Sequence, residues 1–528
     1  MSSAIDTAPA FKSAGLHHVT LITRKVQPNV DFYAGFLGLR LVKRTAGFED
    51  AEQLHVFYGD AEGRPGSLVS FLVWQDGAPG RVGHGQPLEI ALSIRPEAIG
   101  FWLTRALRFQ VSVSGPAQEF GEPVLRLKDP DGVIVKLVGT AALARTPLAS
   151  PVRDIADEDA ILGLRAATVL SENPEATAAF LTRHFGLAES AREGTTTRLT
   201  GRDGDAVDVR DAGGFWTSAP GTGTIDHIAL RAATTGELAT VEASLKAADA
   251  GATNAHDRKY FHSLYVREPQ GTLFELATDA PGMAIDEPAD RLGEILFIPP
   301  HFEGQAETVR ASLPQFALPG EPRMTERELP FIHRIVEPEN ANGRTLVLLH
   351  GTGGNETSLL PLGRELDPQA LMVSLRGRSL DEGFPRFFRR LTATTFDQKD
   401  IIGESAALAA FIEGARDAYG LDLARTVFLG YSNGANILGA VMLAHPGLIR
   451  HAVLIRAMNV LEAIPAANLA GTSVLMTTGQ HDPYGRYAAS LEAALAKAGA
   501  TVDNRLLSAG HELTMEDVRL ARDVITAV

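Results

Sequence analysis

At 528 residues the chain exceeds what one hydrophobic core organises, so two to four domains are expected. Its hydrophobic content of 45% and charged content of 21% are those of a folded globular protein and exclude a disordered or fibrous chain. A formal charge of -15 argues against a nucleic-acid partner, and the absence of cysteine excludes disulfides, thiolate metal sites and a cysteine nucleophile.

The opening stretch MSSAIDTAPAFKSAG carries neither the basic nor the apolar segment of a signal peptide. No run approaches the ~18 apolar residues that would span a bilayer. A cytoplasmic protein without membrane partners is the expectation, with homo-oligomerisation left open.

In chain order, a weak fourfold repeat comes first. LHHVTLITR at Leu16, LEIALSIRP at Leu88, LRAATVLSE at Leu164 and IDHIALRAA at Ile225 each open with a short apolar strand. NVDFYAGFLGLRLV in the first copy and EATAAFLTRHFGLAES in the third space their apolar residues as helices do and close on a glycine. The second and fourth copies end alike: Asp131-Gly132-Val-Ile-Val-Lys136-Leu parallels Gln270-Gly271-Thr-Leu-Phe-Glu275-Leu. The prediction is a βαβββ module repeated over about 14–80, 86–145, 160–215 and 222–280, then a proline-rich extension and linker.

Aligning LHHVT with IDHIA sets His18 opposite His227 at equivalent strand positions, with Glu275 in the last strand of the fourth copy. Two imidazoles and one carboxylate with open coordination positions make the facial triad of non-haem Fe(II) oxygenases. Strand alternation is expected to turn His17 to the face opposite His18. Lys136 stands where Glu275 would recur and Ala166 where His18 would, so one metal site per chain is expected.

The segments GLHHVTLI, NVDFYAGFLGLRLVKRT, DRKYFHSLYVREPQGTLFELATD and DEPADRLGEILFIPP carry a resemblance over about the first 318 residues. They resemble the hydroquinone-type ring-cleaving dioxygenases of the vicinal-oxygen-chelate, or glyoxalase-like, superfamily. The resemblance implies Fe(II) on His18, His227 and Glu275, with Mn(II) as an alternative ion, and a small aromatic diol and O₂ as substrates. It also implies roles around the substrate for His17, Arg258 and Tyr265, with His17 moving a proton near neutral pH. Members often carry a histidine pair in the fourth copy, whereas Asp226 precedes His227 here. The rival readings are a Zn²⁺ or Ni²⁺ glyoxalase-type isomerase, which would want a second carboxylate where Lys136 stands, and a metal-free module binding aromatics or quinones.

From Arg344 the pattern changes to apolar runs alternating with helices, the signature of a largely parallel sheet. RTLVLLH, ALMVSL, TVFLG, HAVLI and SVLMTTG are the predicted strands of this second domain, about 322–528. Gly430-Tyr431-Ser432-Asn433-Gly434 joins one of them to a helix, the setting of a serine nucleophile. Asp482 follows the strand SVLMTTG and His511 lies in a loop before the last helix, so acid and base follow the serine in chain order. His350-Gly351-Thr352-Gly353-Gly354 is where an oxyanion loop belongs, making the Thr352 and Asn433 amides the two donors, with His350 shaping the loop and His481 incidental.

LLHGTGGNE, GYSNGAN, GQHDP and AGHELT resemble the phospholipase/carboxylesterase family of compact α/β-hydrolases. That resemblance implies hydrolysis of a small carboxylic ester, thioester or lactone without a cofactor. The whole reads as an α+β fold of four modules followed by an α/β domain.

Overall fold

The computed structural model describes residues 11–75, 77–141, 154–321, 329–338, 340–380 and 383–528. The chain divides into two compact units, the first reaching about residue 321 and the second holding 329 onward together with 310–312. Part of the predicted linker, 322–328, lies outside the described residues. Among the described residues no helix is long and apolar enough to cross a membrane.

The first unit contains four modules of one helical segment and four strands. Their strands are β1 Leu16–Thr23, β2 Arg40–Ala46, β3 Leu54–Gly59 and β4 Leu68–Val73; β5 Gln86–Ile94, β6 Val113–Glu119, β7 Glu122–Lys128 and β8 Ile134–Gly139; β9 Gly163–Ser171, β10 Ala188–Glu193, β11 Thr196–Thr200 and β12 Ala206–Asp211; β13 Thr224–Ala232, β14 Thr253–Asp257, β15 Phe261–Arg267 and β16 Leu273–Pro281. The predicted glycine stop of the third-copy helix, Pro174–Phe185, is Gly186 in the left-handed region at φ 68°.

Modules pair by nesting. The first and fourth share one sheet through antiparallel β1 and β13, and the second and third share another through β5 and β9. A continuous apolar core runs through both sheets and their helices, including Val19, Phe71, Ile90, Leu137, Val169 and Leu276. The extension after β16 returns to the first module, where β17 Leu296–Phe297 pairs with β2. It is held there by buried Lys43, which pairs with Asp286 and Glu287.

The second unit is a seven-stranded sheet in the order β18-β20-β19-β21-β22-β23-β24. Its strands are β18 His333–Val336, β19 Thr345–Leu349, β20 Leu371–Leu375, β21 Thr426–Tyr431, β22 His451–Ile455, β23 Ser473–Gly479 and β24 Thr501–Leu507. Only β18 runs antiparallel to its neighbour. The five predicted strands are its centre, whose apolar runs are buried on both faces as a helix-covered parallel sheet requires.

Candidate active sites

In the first unit His18, His227 and Glu275 converge. Register explains why: Ala229 on β13 pairs with His18 of β1 on one side and with Glu275 of β16 on the other. His227 lies two residues before Ala229 and so faces the same way. One ligand atom from each of the three residues lies within 4.8 Å of the others, and all three residues are buried.

Simple alternation fails at both histidines. Leu16 pairs with Leu230 and His18 with Ala229, so His17 is an extra residue in β1; Thr20 pairs with His227 and Leu21 with Ile225, so Asp226 is an extra residue in β13. Each β-bulge brings the extra side chain alongside the histidine it adjoins. The expectation that His17 faces away is corrected: its Nδ1 lies 2.9 Å from Nδ1 of His18. Nor does His17 line the cavity, and burial with the neighbouring His18 holds its pKa down to about 3. Its place is behind His18, fixing that ring. Asp226, passed over in the sequence, does the same for His227, its Oδ2 standing 2.7 Å from Nδ1. Partners of this kind set the tautomer and aim of a metal-binding imidazole.

The charge state of the cluster suits a cation. Burial alone would raise the Glu275 pKa, but the two imidazoles beside it hold it well below the usual carboxylate range. Burial lowers His18. Burial also works against charge on His227, yet the hydrogen bond to Asp226 and the Glu275 carboxylate beside it carry its pKa up to about 9. Glu275 Oε2 lies 2.9 Å from His227 Nε2 and 3.2 Å from His18 Nε2, but neither Glu275 oxygen has a partner in hydrogen-bond geometry. A buried carboxylate with unbonded oxygens, one of them facing two imidazole nitrogens, fits a divalent ion.

Beside these residues lies a cavity of about 760 Å³ whose wall includes Phe48, Phe57, Phe261, Arg258, Tyr265 and His55. Tyr265 meets the His227 ring edge-on at 5.5 Å, and burial raises its pKa so that the hydroxyl stays protonated. The Arg258 guanidinium lies 5.7 Å from the Tyr265 ring centre, and its carboxylate neighbour, the exposed Glu49, is 3.8 Å away.

The second sheet repeats the register with different chemistry. Ala91 pairs with Ala166 and Lys136 where Ala229 pairs with His18 and Glu275. Lys136 Nζ sits 2.8 Å from Glu89 and 3.0 Å from Glu119, an internal ammonium closing the equivalent place. Among the described residues the histidine pair with Glu275 is the one metal-competent cluster.

In the second unit Ser432, His511 and Asp482 come together at the C-terminal ends of parallel strands. His511 Nε2 is 2.9 Å from Ser432 Oγ, and its Nδ1 is 2.9 Å from Asp482 Oδ2. Ser432 occupies a strained turn at φ 52°, ψ -110° between β21 and the helix Asn433–Ala444. Glycine is compulsory beside it: a Cβ on Gly434 would lie 2.2 Å from the Leu349 carbonyl oxygen, and one on Gly430 2.6 Å from the Ala435 nitrogen.

The Asn433 amide opens a helix, where no intrahelical acceptor exists. A Cβ on Gly351 would come 3.6 Å from Ser432 Cβ, which puts the Thr352 loop beside Ser432. His350 braces that loop, with Nδ1 donating to Gly351 O at 2.6 Å and Nε2 accepting from Gly377 N at 3.0 Å. The Asn433 side chain accepts from Phe387 N at 2.7 Å, tying in another loop that the sequence did not signal.

Comparison with known proteins follows the two units. The profile of the Glyoxalase/Bleomycin resistance protein/Dioxygenase superfamily matches residues 15–137. MhqO of Bacillus subtilis (strain 168), assigned as a ring-cleaving dioxygenase, is 34% identical over 309 residues, covering 58% of this chain and 98% of its own. The chain belongs to the ring-cleaving dioxygenases of the glyoxalase superfamily. This dioxygenase-family chain carries more: MhqD of the same bacterium, assigned as a hydrolase, is 35% identical over 187 residues, covering 35% of this chain and 94% of its own. The chlorohydroquinone/hydroquinone 1,2-dioxygenase of Sphingobium indicum (strain DSM 16413 / CCM 7287 / MTCC 6362 / UT26 / NBRC 101211 / UT26S) is 31% identical over 306 residues, covering 55% of this chain and 92% of its own. The fold is thus a vicinal-oxygen-chelate unit followed by an α/β-hydrolase unit.

Proposed function

We propose that the dioxygenase unit cleaves the ring of a small aromatic diol with O₂ at an Fe(II) ion held by His18, His227 and Glu275. The hydrolase unit then acts on a carboxylic ester, thioester or lactone through Ser432, His511 and Asp482. The observation that carries the first half is the buried trio of ligands with both Glu275 oxygens unbonded. Held by these three residues, an iron ion would supply Lewis acidity toward the diol and electron transfer between diol and O₂.

The chain's own residues do the rest. His17 and Asp226 hold the two imidazoles in place. Tyr265, kept protonated, donates a hydrogen bond to a substrate oxygen, and Arg258 steadies negative charge as it develops there. The aromatic wall excludes water and positions the ring. A para-diol is favoured because the Sphingobium relative is named for hydroquinones.

In the hydrolase, His511 Nε2 takes the Ser432 proton as Oγ attacks the acyl carbon, and returns it to the leaving group. Asp482 steadies the imidazolium, while the Thr352 and Asn433 amides receive the oxyanion. A water repeats the cycle on the acyl-enzyme. The matching Bacillus proteins MhqO and MhqD are separate chains and here they are one, which favours related substrates for both sites. Tethering raises the local concentration of the second site for a product of the first.

The test reconstitutes the protein with Fe(II) without oxygen and follows O₂ uptake over hydroquinones and catechols. Uptake is expected to be intact in Ser432→Ala, which should lose p-nitrophenyl ester hydrolysis. Zinc or nickel dependence without O₂ consumption would favour an isomerase, and turnover of no diol would overturn the dioxygenase reading. Product made by Ser432→Ala protein is then given to His18→Ala protein. If its absorbance and mass stay unchanged, the two sites serve unrelated substrates.

A further inference from the structure

His511 lies between the end of β24 at Leu507 and the helix Met515–Thr526, in a stretch without regular structure. A catalytic base placed on such a loop needs something else to hold it. Three consecutive carbonyls are turned onto donors from the sheet. Gly510 O accepts from Arg456 Nε at 2.9 Å, His511 O from the Tyr431 hydroxyl at 2.8 Å, and Glu512 O from Arg456 Nη2 at 2.9 Å.

Arg456 is itself locked. Its Nη1 and Nη2 meet Asp517 Oδ1 and Oδ2 at 2.8 and 2.9 Å, and Nη1 also reaches Thr477 Oγ1 at 3.1 Å. Both side chains are fully buried. Asp517 belongs to the helix that follows the loop and closes the capping box with Thr514. Arg456 follows directly on β22 and adopts a left-handed φ of 57°, a conformation a bulky residue keeps only where its surroundings demand it. The residue before it, Ile455, accepts from the Ser432 amide at 2.8 Å. One strand end therefore holds the nucleophile's backbone on one side and the base's loop on the other.

We infer that Arg456, locked by Asp517, is a positioning residue that clamps the His511 loop so the imidazole meets Ser432 and Asp482 at once. A planar fork of donors suits this task because it reaches two carbonyls and a carboxylate together, which an ammonium cannot. The inference rests on the serine-hydrolase reading above.

The test uses the full-length protein and p-nitrophenyl acetate. Arg456→Lys keeps a charge opposite Asp517 but cannot bond both carbonyls. The pair Arg456→Met and Asp517→Leu removes both charges together, sparing the fold an unpaired buried ion. Both variants should lose kcat by about 10-fold or more, since a base displaced by a fraction of an ångström loses its in-line hydrogen bond. KM should stay within about twofold, and the downfield proton resonance of the His511–Asp482 hydrogen bond should shift or vanish. A folded variant of either kind that keeps kcat and that resonance overturns the inference, as does a kcat loss matched by an equal rise in KM. Should the double variant fail to fold, Arg456→Lys decides alone. Full hydrolysis by Ser432→Ala would instead retire the serine-hydrolase reading itself.

Discussion

Gly434→Ala tests the nucleophile turn through one methyl group. The added Cβ would stand 2.2 Å from the Leu349 carbonyl oxygen and 2.6 Å from its carbon, both backbone atoms that no rotamer change can clear. Restoring even a tight contact of 3.0 Å needs a displacement of about 0.8 Å between the helix Asn433–Ala444 and β19. That shift falls on catalytic parts whichever side yields, for Ser432 precedes the helix and Leu349 precedes the His350–Thr352 loop. Displacement near 1 Å costs roughly 100-fold in rate, and overpacking of this kind destabilises by about 1–3 kcal/mol. The expected result is a kcat for p-nitrophenyl acetate lowered about 100-fold, with O₂ uptake by the dioxygenase unit unchanged. Gly403→Ala is the control: it lies in the helix Gln398–Tyr419 with nothing within 4 Å of the added carbon, so stability should rise by up to about 1 kcal/mol with activity intact. Wild-type kcat in Gly434→Ala would refute the steric reasoning.

Alanine at His18, His227 or Glu275 should each release bound iron, measured by metal analysis after gel filtration, while ester hydrolysis persists; full occupancy in any one variant removes that residue from the ligand set. Lys136→Ala leaves buried Glu89 without its cation while Glu119 keeps Arg126, and should destabilise the dioxygenase unit by about 3–5 kcal/mol in denaturant unfolding, with Ser432-dependent activity still present at low denaturant. Burial lowers the His55 pKa from 6.5 to about 3, so the native state prefers the neutral ring. Its contribution is complete above pH 6.5 and falls away as pH drops toward 3, by about 1.4 kcal/mol per unit. His55→Phe should therefore flatten the acid dependence of unfolding between those limits, and an unchanged slope would contradict the assignment.

Much of this protein could be read from the chain alone. Apolar alternation and glycine stops mark the four modules because local burial and helix termination are local properties. The order of Ser432, Asp482 and His511 is visible because each sits at a strand end that its own flanking residues announce. His18, His227 and Glu275 emerge from aligning repeats, since equivalent strands present equivalent faces. The two β-bulges are of another kind. Whether His17 and Asp226 lie beside their neighbours or opposite them depends on how β1 registers with β13, a pairing across about two hundred residues that no local pattern encodes. The same holds for the nesting of the modules and for the short β18 and partly exposed β24, whose weak apolar patterning becomes strand only through the sheet they join. It holds again for Arg456, an ordinary arginine in the sequence until folding brings Asp517 and the His511 loop to its guanidinium. Residue type and local periodicity determined which chemistry this chain carries; long-range register and burial decided which side chains hold that chemistry in place.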